Sequence, residues 1–244
     1  MRNLKVFMSY RGTAYHGFQR QDNAVAVQNV LERVMAKLLD EQVSVNGCSR
    51  TDTGVHANEF CFSFETGSTI PCRNFVRGLN SMLPEDISIL SCEEAPADFH
   101  ARFSCAAKEY VYKICTSESK NPFMSDLALH YPYGLDTELI ARAAKDFAGT
   151  HDFTSFCGTA GLKEDNVRTV EYCKVEKDEN LVKLLVKGDG FLYNMIRIMV
   201  GTLIYINEGK IAPDAIPAII EAKDRTKAGK TAPPHGLYLN KVFY

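Results

Sequence analysis

The sequence lacks the long apolar run that marks a membrane-spanning protein. No stretch of its 244 residues approaches the roughly 20 consecutive apolar residues that a spanning helix needs. The N-terminal residues enter an alternating strand pattern at once, without the apolar core of a secretory signal peptide. We therefore expect a cytoplasmic protein with no membrane association.

Closely spaced metal ligands are also missing. The sequence has no Cys-x-x-Cys or His-x-x-x-His pair of the kind that nucleates a zinc or iron site. Its eight cysteines are scattered through predicted strands and helices of a mid-sized chain, so we expect free thiols instead of disulfides. These absences predict a protein without a bound metal.

A strong charge of one sign is absent as well. The formal net charge is −2 and the pI is about 6.3, which gives no global indication of a polyanionic partner. Basic residues nevertheless concentrate in a few glycine- and aromatic-rich segments, while many acidic residues lie on predicted helix faces. This distribution predicts a basic cleft in an acidic body.

The most informative feature present is a carboxylate between two hydroxyls and two glycines. Residues 47–57 read Gly-Cys-Ser-Arg-Thr-Asp-Thr-Gly-Val-His-Ala, so Asp52 lies two residues after Arg50. A nearby arginine favours the ionised form of a carboxylate, and glycines let the backbone approach a substrate closely. Asp52 is therefore a candidate nucleophile or base, although a turn in which it accepts nearby N–H groups would use the same residue types.

Six segments, in order over nearly the whole chain, resemble the tRNA pseudouridine synthase A family. The catalytic motif of that family usually reads G-x-G-R-T-D-A-G-V-H-A, which residues 47–57 resemble. The other five segments are residues 10–21, residues 99–104 with 108–112, residues 149–153, residues 190–197 and residues 232–239. Phe18 stands where the family often has tryptophan, and Thr53 where it often has alanine.

The resemblance implies an isomerase that converts uridine to pseudouridine at positions 38, 39 and 40 in the tRNA anticodon arm. Breaking the C1′–N1 bond, turning the base and joining C1′ to C5 needs neither oxidation nor net hydrolysis, so we expect no cofactor. The resemblance also implies a homodimer whose partner is tRNA. Because a uridine inside a helix cannot reach a pocket, the target nucleotide must be flipped out.

Four residues are candidates for the catalytic site. Asp52 is the nucleophile or base, and Arg50 supports it or holds the nucleotide. Tyr110 matches the pocket tyrosine of the family, which stacks on uracil and takes part in proton removal. Arg197 lies in an apolar helix pattern, where a guanidinium is costly unless it is paired, and we expect Asp52 to pair with it. The candidates for RNA binding are Arg11, Arg20, Lys108, Lys113 and Arg168.

Hydrophobic periodicity predicts an α+β fold. The predicted strands are residues 4–10, 60–64, 87–92, 110–115, 170–176, 181–187 and 237–243, and the predicted helices are residues 27–39, 71–82, 137–148, 192–206 and 214–222. Each half resembles a split β-α-β unit. We expect two ferredoxin-like or RRM-like α/β lobes, residues 1–104 with the Asp52 loop and residues 105–244, around a mainly antiparallel sheet with a cleft between them.

Two other functions remain open at this point. A non-catalytic RNA-binding protein of the same fold would tolerate loss of the Asp52 carboxylate. An N-glycosidase would use Asp52 with a second carboxylate, Asp152, and release free uracil, although we interpret Asp152 as a cap or turn residue. The motif histidines are interpreted as structural residues that bind the backbone: His56, His100, His151 and His235.

Overall fold

The computed structural model describes residues 1–244 and contains ten strands and five α-helices. In chain order these are β1 (Arg2–Tyr10), α1 (Val27–Leu39), β2 (Asn46–Gly47), β3 (His56–Thr66), α2 (Cys72–Met82), β4 (Ile87–Ala95), β5 (Ala107–Cys115), β6 (Leu129–His130), α3 (Thr137–Ala144), β7 (Gly149–Asp152), β8 (Val167–Asp178), β9 (Leu181–Gly188), α4 (Met195–Asn207), α5 (Ile216–Ala222) and β10 (Leu237–Phe243). The strands pair mostly antiparallel, which confirms the α+β prediction. None of the helices has the length and apolarity that crossing a membrane requires.

The chain divides into two compact units. The first unit comprises residues 1–106 together with residues 238–244, and the second comprises residues 107–237. The last strand, β10, therefore joins the part of the fold that the N-terminal half builds.

The first unit is a sheet with two helices. Its strands take the order β4-β1-β3-β10, β2 adds to β3, and only β10 runs parallel to its neighbour β3. Leu4, Phe60 and Phe62 are fully buried in its core. Phe75 of α2 stacks on Phe64 of β3, with ring centroids 5.6 Å apart, so this helix is fixed to the sheet by aromatic packing.

The second unit is built around α4. Its strands take the order β5-β9-β8-β7 with antiparallel pairing, and the short β6 runs parallel to β5. Ten of the thirteen residues of α4 are buried. A helix that is apolar on all sides is expected in a protein core, and the one charged residue of α4, Arg197, is half-buried there.

The helix boundaries differ from the prediction most at two places, and α2 and α5 also begin one and two residues later than predicted. The predicted helix 137–148 is wrong at its end, because α3 stops at Ala144 and the chain tightens into a 3-10 helix, Lys145–Phe147, that buries Phe147. The predicted start of a helix at residue 192 is also wrong. Asn194 has φ +62°, a left-handed conformation that a helix interior excludes, so α4 begins at Met195.

Candidate active site

Asp52 lies in the loop that connects β2 to β3. The loop turns at Asp52, whose carbonyl accepts the Val55 N–H at 3.1 Å, and Gly54 has φ +78°. The positive φ explains the glycine, since other residues pay a steric cost there. Asp52 is half-buried, whereas Arg50 and Thr53 are exposed.

A second loop, residues 11–18, clamps the Asp52 loop from one side. The Thr51 carbonyl accepts the Phe18 N–H at 3.3 Å, and the Gly54 N–H donates to the Tyr15 carbonyl at 3.2 Å. At Gly12 a Cβ would lie 2.0 Å from the Val55 carbonyl oxygen, so no other residue fits without moving the backbone. The first two resembling segments thus form one structural unit.

Buried side chains also hold the Asp52 loop in place. The Tyr10 hydroxyl and Thr51 Oγ1 are 2.7 Å apart, and both residues are buried. His56 Nδ1 accepts the Gly12 N–H at 3.0 Å, and the His56 ring stacks on Tyr238 at 4.6 Å between centroids. These contacts hold the backbone on both sides of Asp52.

The Phe18 side chain packs beside the first residue of the motif, Gly47. Its ring stacks on Phe60 at 4.1 Å between centroids. A Cβ at Gly47 would lie 2.4 Å from the Phe18 ring, so the glycine that opens the motif makes room for the aromatic side chain. The phenylalanine therefore performs the packing at the position where the family often has tryptophan.

Two tyrosines on β5 have different environments. Tyr110 is buried and meets the Phe191 ring edge-to-face at 5.3 Å. Tyr112 is fully buried, and its hydroxyl donates to the Pro233 carbonyl at 2.8 Å. Burial raises the pKa of Tyr112 above its ordinary value, although Arg197 opposes the shift. Tyr112 is thus committed to packing.

Arg197 is oriented by neutral acceptors of its own unit. Its Nε donates to the Ala232 carbonyl at 2.7 Å, and Nη1 donates to Asn194 Oδ1 at 2.8 Å. The Ala232 N–H in turn donates to the Arg197 carbonyl at 3.0 Å. These two acceptors, which carry no charge, position the guanidinium. Asn194 lies in a resembling segment but was not predicted to have a role in the site.

The predicted RNA-binding residues lie in both units. In the first unit Arg11 is exposed, and the exposed Arg20 forms an ion pair with the buried Glu32 at 3.0 Å. In the second unit Lys108 and Lys113 lie five residues apart on β5 and therefore on opposite faces of the strand. Burial, and then the charge of Lys183, lower the pKa of Lys113.

Arg168 completes this predicted set. It lies half-exposed on β8, and Nη1 donates to the neighbouring Val167 carbonyl. A Cβ added at Gly190 would be in ordinary contact with the Arg168 side chain, 3.5 Å from Cδ. Arg168 therefore lies beside the start of the resembling segment 190–197.

Asp152 is occupied as a structural residue. Oδ1 accepts the Thr154 N–H at 3.0 Å and the Thr154 hydroxyl at 2.6 Å, and Oδ2 accepts Lys223 Nζ at 2.8 Å. Partial burial opposes ionisation, but the bonds from Lys223 and Thr154 hold the pKa of Asp152 below its usual range. A glycosidase acid needs a raised pKa, so Asp152 is unsuited to that role.

Three motif histidines bind the backbone, as predicted. Besides His56, His100 Nδ1 accepts the Arg102 N–H at 3.1 Å, and His151 Nε2 lies 3.1 Å from the Ala148 carbonyl. All eight cysteines are free thiols, which confirms the prediction of no disulfides.

Comparison with known proteins links this geometry to one family. A family described as tRNA pseudouridine synthase matches residues 6–104 and 143–244. The chain is 44% identical over 244 residues, the full length of both chains, to a protein of Clostridium acetobutylicum named tRNA pseudouridine synthase A. Proteins of the same name are similar in Acetivibrio thermocellus, at 45% over the full length of both, and in Bacillus pumilus, at 44% over 99% of this chain and 98% of the relative.

Proposed function

The chain belongs to the tRNA pseudouridine synthase family, and we propose that it acts at positions 38, 39 and 40 of the tRNA anticodon arm with Asp52 as its catalytic carboxylate. Its reaction is the isomerisation of uridine to pseudouridine in tRNA. The proposal is supported by the contacts that fix the Asp52 loop. These are backbone hydrogen bonds to the loop of residues 11–18 and the side-chain hydrogen bonds of Tyr10 and His56.

A fixed loop is what this chemistry asks of the protein. Asp52 must meet C1′ or the 2′-proton of one nucleotide, and preorganised geometry lowers the barrier of such a step. If Asp52 adds to C1′, the C1′–N1 bond breaks and uracil leaves as an anion. In this route the bond between Asp52 and C1′ breaks when the base rejoins C1′. If Asp52 instead takes the 2′-proton, uracil leaves in the same way and a glycal forms, which takes the proton back at C2′ as the base rejoins. Both routes use an ionised oxygen of the same side chain. The detached base then rejoins C1′ through C5, and the C5 proton is lost.

Tyr110 and the two arginines complete the proposed catalytic group. We assign uracil stacking and help in C5 proton removal to Tyr110, whose ring is steadied by Phe191. Arg197 pairs with Asp52 in this proposal, supported by the two contacts that orient its guanidinium. Arg50, exposed on the Asp52 loop, supports the carboxylate or holds the nucleotide.

The basic residues near the motifs bind the tRNA backbone in this proposal. Phosphate contacts supply the affinity that offsets base flipping, which costs a few kcal/mol. The residues assigned are Arg11, Arg20, Lys108, Lys113 and Arg168. The isomerisation needs neither oxidation nor net hydrolysis, so we propose no cofactor and no metal.

We further propose a cytoplasmic homodimer. Eight free thiols suit a reducing compartment, and the dimer follows from the resemblance to the family. Light scattering of the purified protein should give twice the chain mass of 27.2 kDa. A mass of one chain at working concentration would rule out the dimer.

The test of the proposed catalyst is tritium release from tRNA that carries 5-tritiated uridine. Wild type should release tritium, and digestion should recover pseudouridine at positions 38 to 40. Asp52→Asn should release none at any tRNA concentration yet keep tRNA affinity, because the amide preserves shape and cannot act as nucleophile or base. Asp40→Asn, an exposed left-handed position that suits asparagine, is the matched control and should behave as wild type.

Each other outcome has a definite meaning. Near-normal turnover by Asp52→Asn would remove Asp52 as the catalyst. Free uracil in place of pseudouridine would mean a glycosidase. No release by wild type from any uridine-containing RNA would mean an RNA-binding protein of the same fold, and pseudouridine at other positions would correct the target site.

A further inference from the structure

We infer that α1 and α2 present a second RNA-contacting surface, which binds the sugar–phosphate backbone of the tRNA outside the anticodon arm. The surface, called the helical basic face below, consists of Arg33 and Lys37 of α1 and Arg73 and Arg77 of α2. The inference rests on tRNA being the substrate, and none of these residues lies in the segments that identified the family.

The geometry of α1 directs its two basic residues toward α2. Gln28 Nε2 donates to the Val45 carbonyl at 3.2 Å, and Glu32 Oε1 accepts the Val45 N–H at 3.0 Å, so this flank of α1 faces the segment before β2. Because successive helical residues are rotated by about 100°, Arg33 and Lys37 lie on the opposite flank. Both are exposed.

The geometry of α2 directs its arginines outward beside that flank. Phe75 and Leu79 are buried, so Arg73 and Arg77 lie on the solvent side, and both are exposed. The helices touch where Leu38 packs on Gly78, at 2.9 Å from the position of an added Cβ. Leu38 follows Lys37 and Gly78 follows Arg77, so the crossing brings the two basic pairs onto one surface.

The helical basic face has no acidic residues of its own. α2 contains no acidic residue, and the one acidic residue of α1, Glu32, is buried and engaged by Arg20. None of the four basic side chains forms an ion pair. The nearest acids along the chain are Asp40 and Glu41, just after α1, and Glu85 and Asp86, just after α2. Glu41 accepts the Gly67 N–H at 3.4 Å, and Asp86 accepts the Tyr15 hydroxyl at 2.7 Å. Asp22, in the loop before α1, lines the same pocket as Arg33.

Helix stability accounts for only one of these four residues, Lys37, which lies in the last turn of α1, where the helix macrodipole favours a basic side chain. Arg33 and Lys37, and likewise Arg73 and Arg77, are like charges at i and i+4, a spacing that destabilises a helix. Arg73 also lies in the first turn of α2, where the helix macrodipole favours acidic side chains. A polyanionic ligand provides the favourable interaction that the helices themselves lack.

The chemistry of the surface selects phosphates over bases. The only aromatic residue of the two helices, Phe75, is buried, so no ring is available to stack on an unpaired base. Arginine and lysine on a surface without aromatic residues suit the backbone of a duplex region, which they contact without reading sequence. A tRNA offers such duplexes outside the anticodon arm.

The test compares two pair variants with a matched control. The variants are Arg33→Gln with Lys37→Gln and Arg73→Gln with Arg77→Gln. The control is Arg142→Gln with Lys145→Gln, an equal loss of exposed charge in α3 and the turn after it, where Glu138 and Asp146 lie close in sequence. Affinity for full-length tRNA and for an isolated anticodon-arm hairpin is measured at several salt concentrations, and pseudouridine formation is followed in parallel.

Each pair variant should weaken binding of full-length tRNA by about threefold to tenfold and flatten the slope of log Kd against log salt by about 1.4–1.8, the value for two phosphates. Hairpin affinity and kcat should match wild type.

An unchanged slope in both variants would overturn the inference, as would an equal loss on the hairpin or in the control. A change in oligomer mass with an unchanged slope would assign the face to a second copy of the chain. If wild type forms no pseudouridine, the proposed function itself fails, whatever the slopes.

Discussion

At the scale of single residues, the sequence indicated the candidate catalyst but not what holds it in place. Asp52 stands out because an aspartate between glycines and beside an arginine is unusual. The bond between Tyr10 and Thr51 joins residues 41 positions apart, and no local pattern encodes such a pair. The contact of Gly12 with Val55 is hidden for the same reason. The local sequence was sufficient to predict the candidate catalyst. It could not predict the contacts with distant segments that hold the Asp52 loop in place.

Asp152 allows a pH-dependent test at this scale. Its pKa is lowered in the folded protein because the bonds from Lys223 and Thr154 outweigh partial burial. The ionised form therefore stabilises the fold above the unfolded pKa of about 3.9, and this contribution is lost as the pH falls through the lower folded pKa. Asp152→Asn should reduce the free energy of unfolding at pH 7 by about 0.2–1 kcal/mol, the usual value of an ion pair near the surface.

Urea unfolding at pH 7, 5 and 3 measures this effect. The gap between wild type and Asp152→Asn should persist at pH 5 and narrow at pH 3. Glu164→Gln, an exposed carboxylate close in sequence, should show no gap at any pH. A constant gap down to pH 3 would mean that the asparagine acts through packing and not through charge.

At the scale of elements, periodicity predicted well where an element is long and amphipathic. The predicted helix 27–39 is confirmed at both ends because its apolar residues recur at helical spacing, and strand 237–243 is confirmed likewise. The two-residue strands β2 and β6 were not predicted, since two residues carry no period. The error at the start of α4 arose from Asn194, whose backbone conformation has no hydrophobic signature.

The packing of α4 depends on one glycine. A Cβ at Gly201 would lie 1.7 Å from the Lys230 carbonyl oxygen, and a Cβ at Gly229 would lie 2.5 Å from the Gly201 carbonyl. Gly201→Ala must push two backbone segments apart, and overpacking of this kind typically costs about 1–3 kcal/mol. Chemical denaturation should show a loss in that range or above it.

Gly67→Ala is the control for that substitution. The nearest atom to an added Cβ at Gly67 is Glu41 Oε2 at 3.8 Å, which is ordinary contact. Its effect should stay within about 0.5 kcal/mol, as for most surface changes. Equal stability of the two variants would show that the segment at Lys230 yields without cost.

At the scale of the whole molecule, composition and pattern predicted the fold class but not the path of the chain. The last strand, β10, pairs parallel with β3 through Tyr238 and His56. That pairing spans most of the sequence, and its partner is chosen by the assembled sheet and not by local propensity. The net charge of −2 likewise gave no hint of the helical basic face, because a sum over the chain conceals where the charges lie.

The packing of the molecule as a whole can be tested through its thiols. Five of the eight cysteines are buried, and three are partly exposed: Cys72, Cys92 and Cys105. The thiolate is the reactive form, and burial raises the pKa of Cys61 to about 12, so exposure and ionisation both restrict reaction in the folded state. An aromatic disulfide reagent at pH 8 should therefore modify at most three thiols quickly in the native protein and all eight in denaturant. Cys105→Ser should lower the count in denaturant from eight to seven and the native count by one at most. More than three rapidly reacting thiols in the native protein would show that the cores of the two units open readily. Fewer than eight in denaturant would reveal a disulfide. That result would contradict the free thiols on which the proposed cytoplasmic location rests.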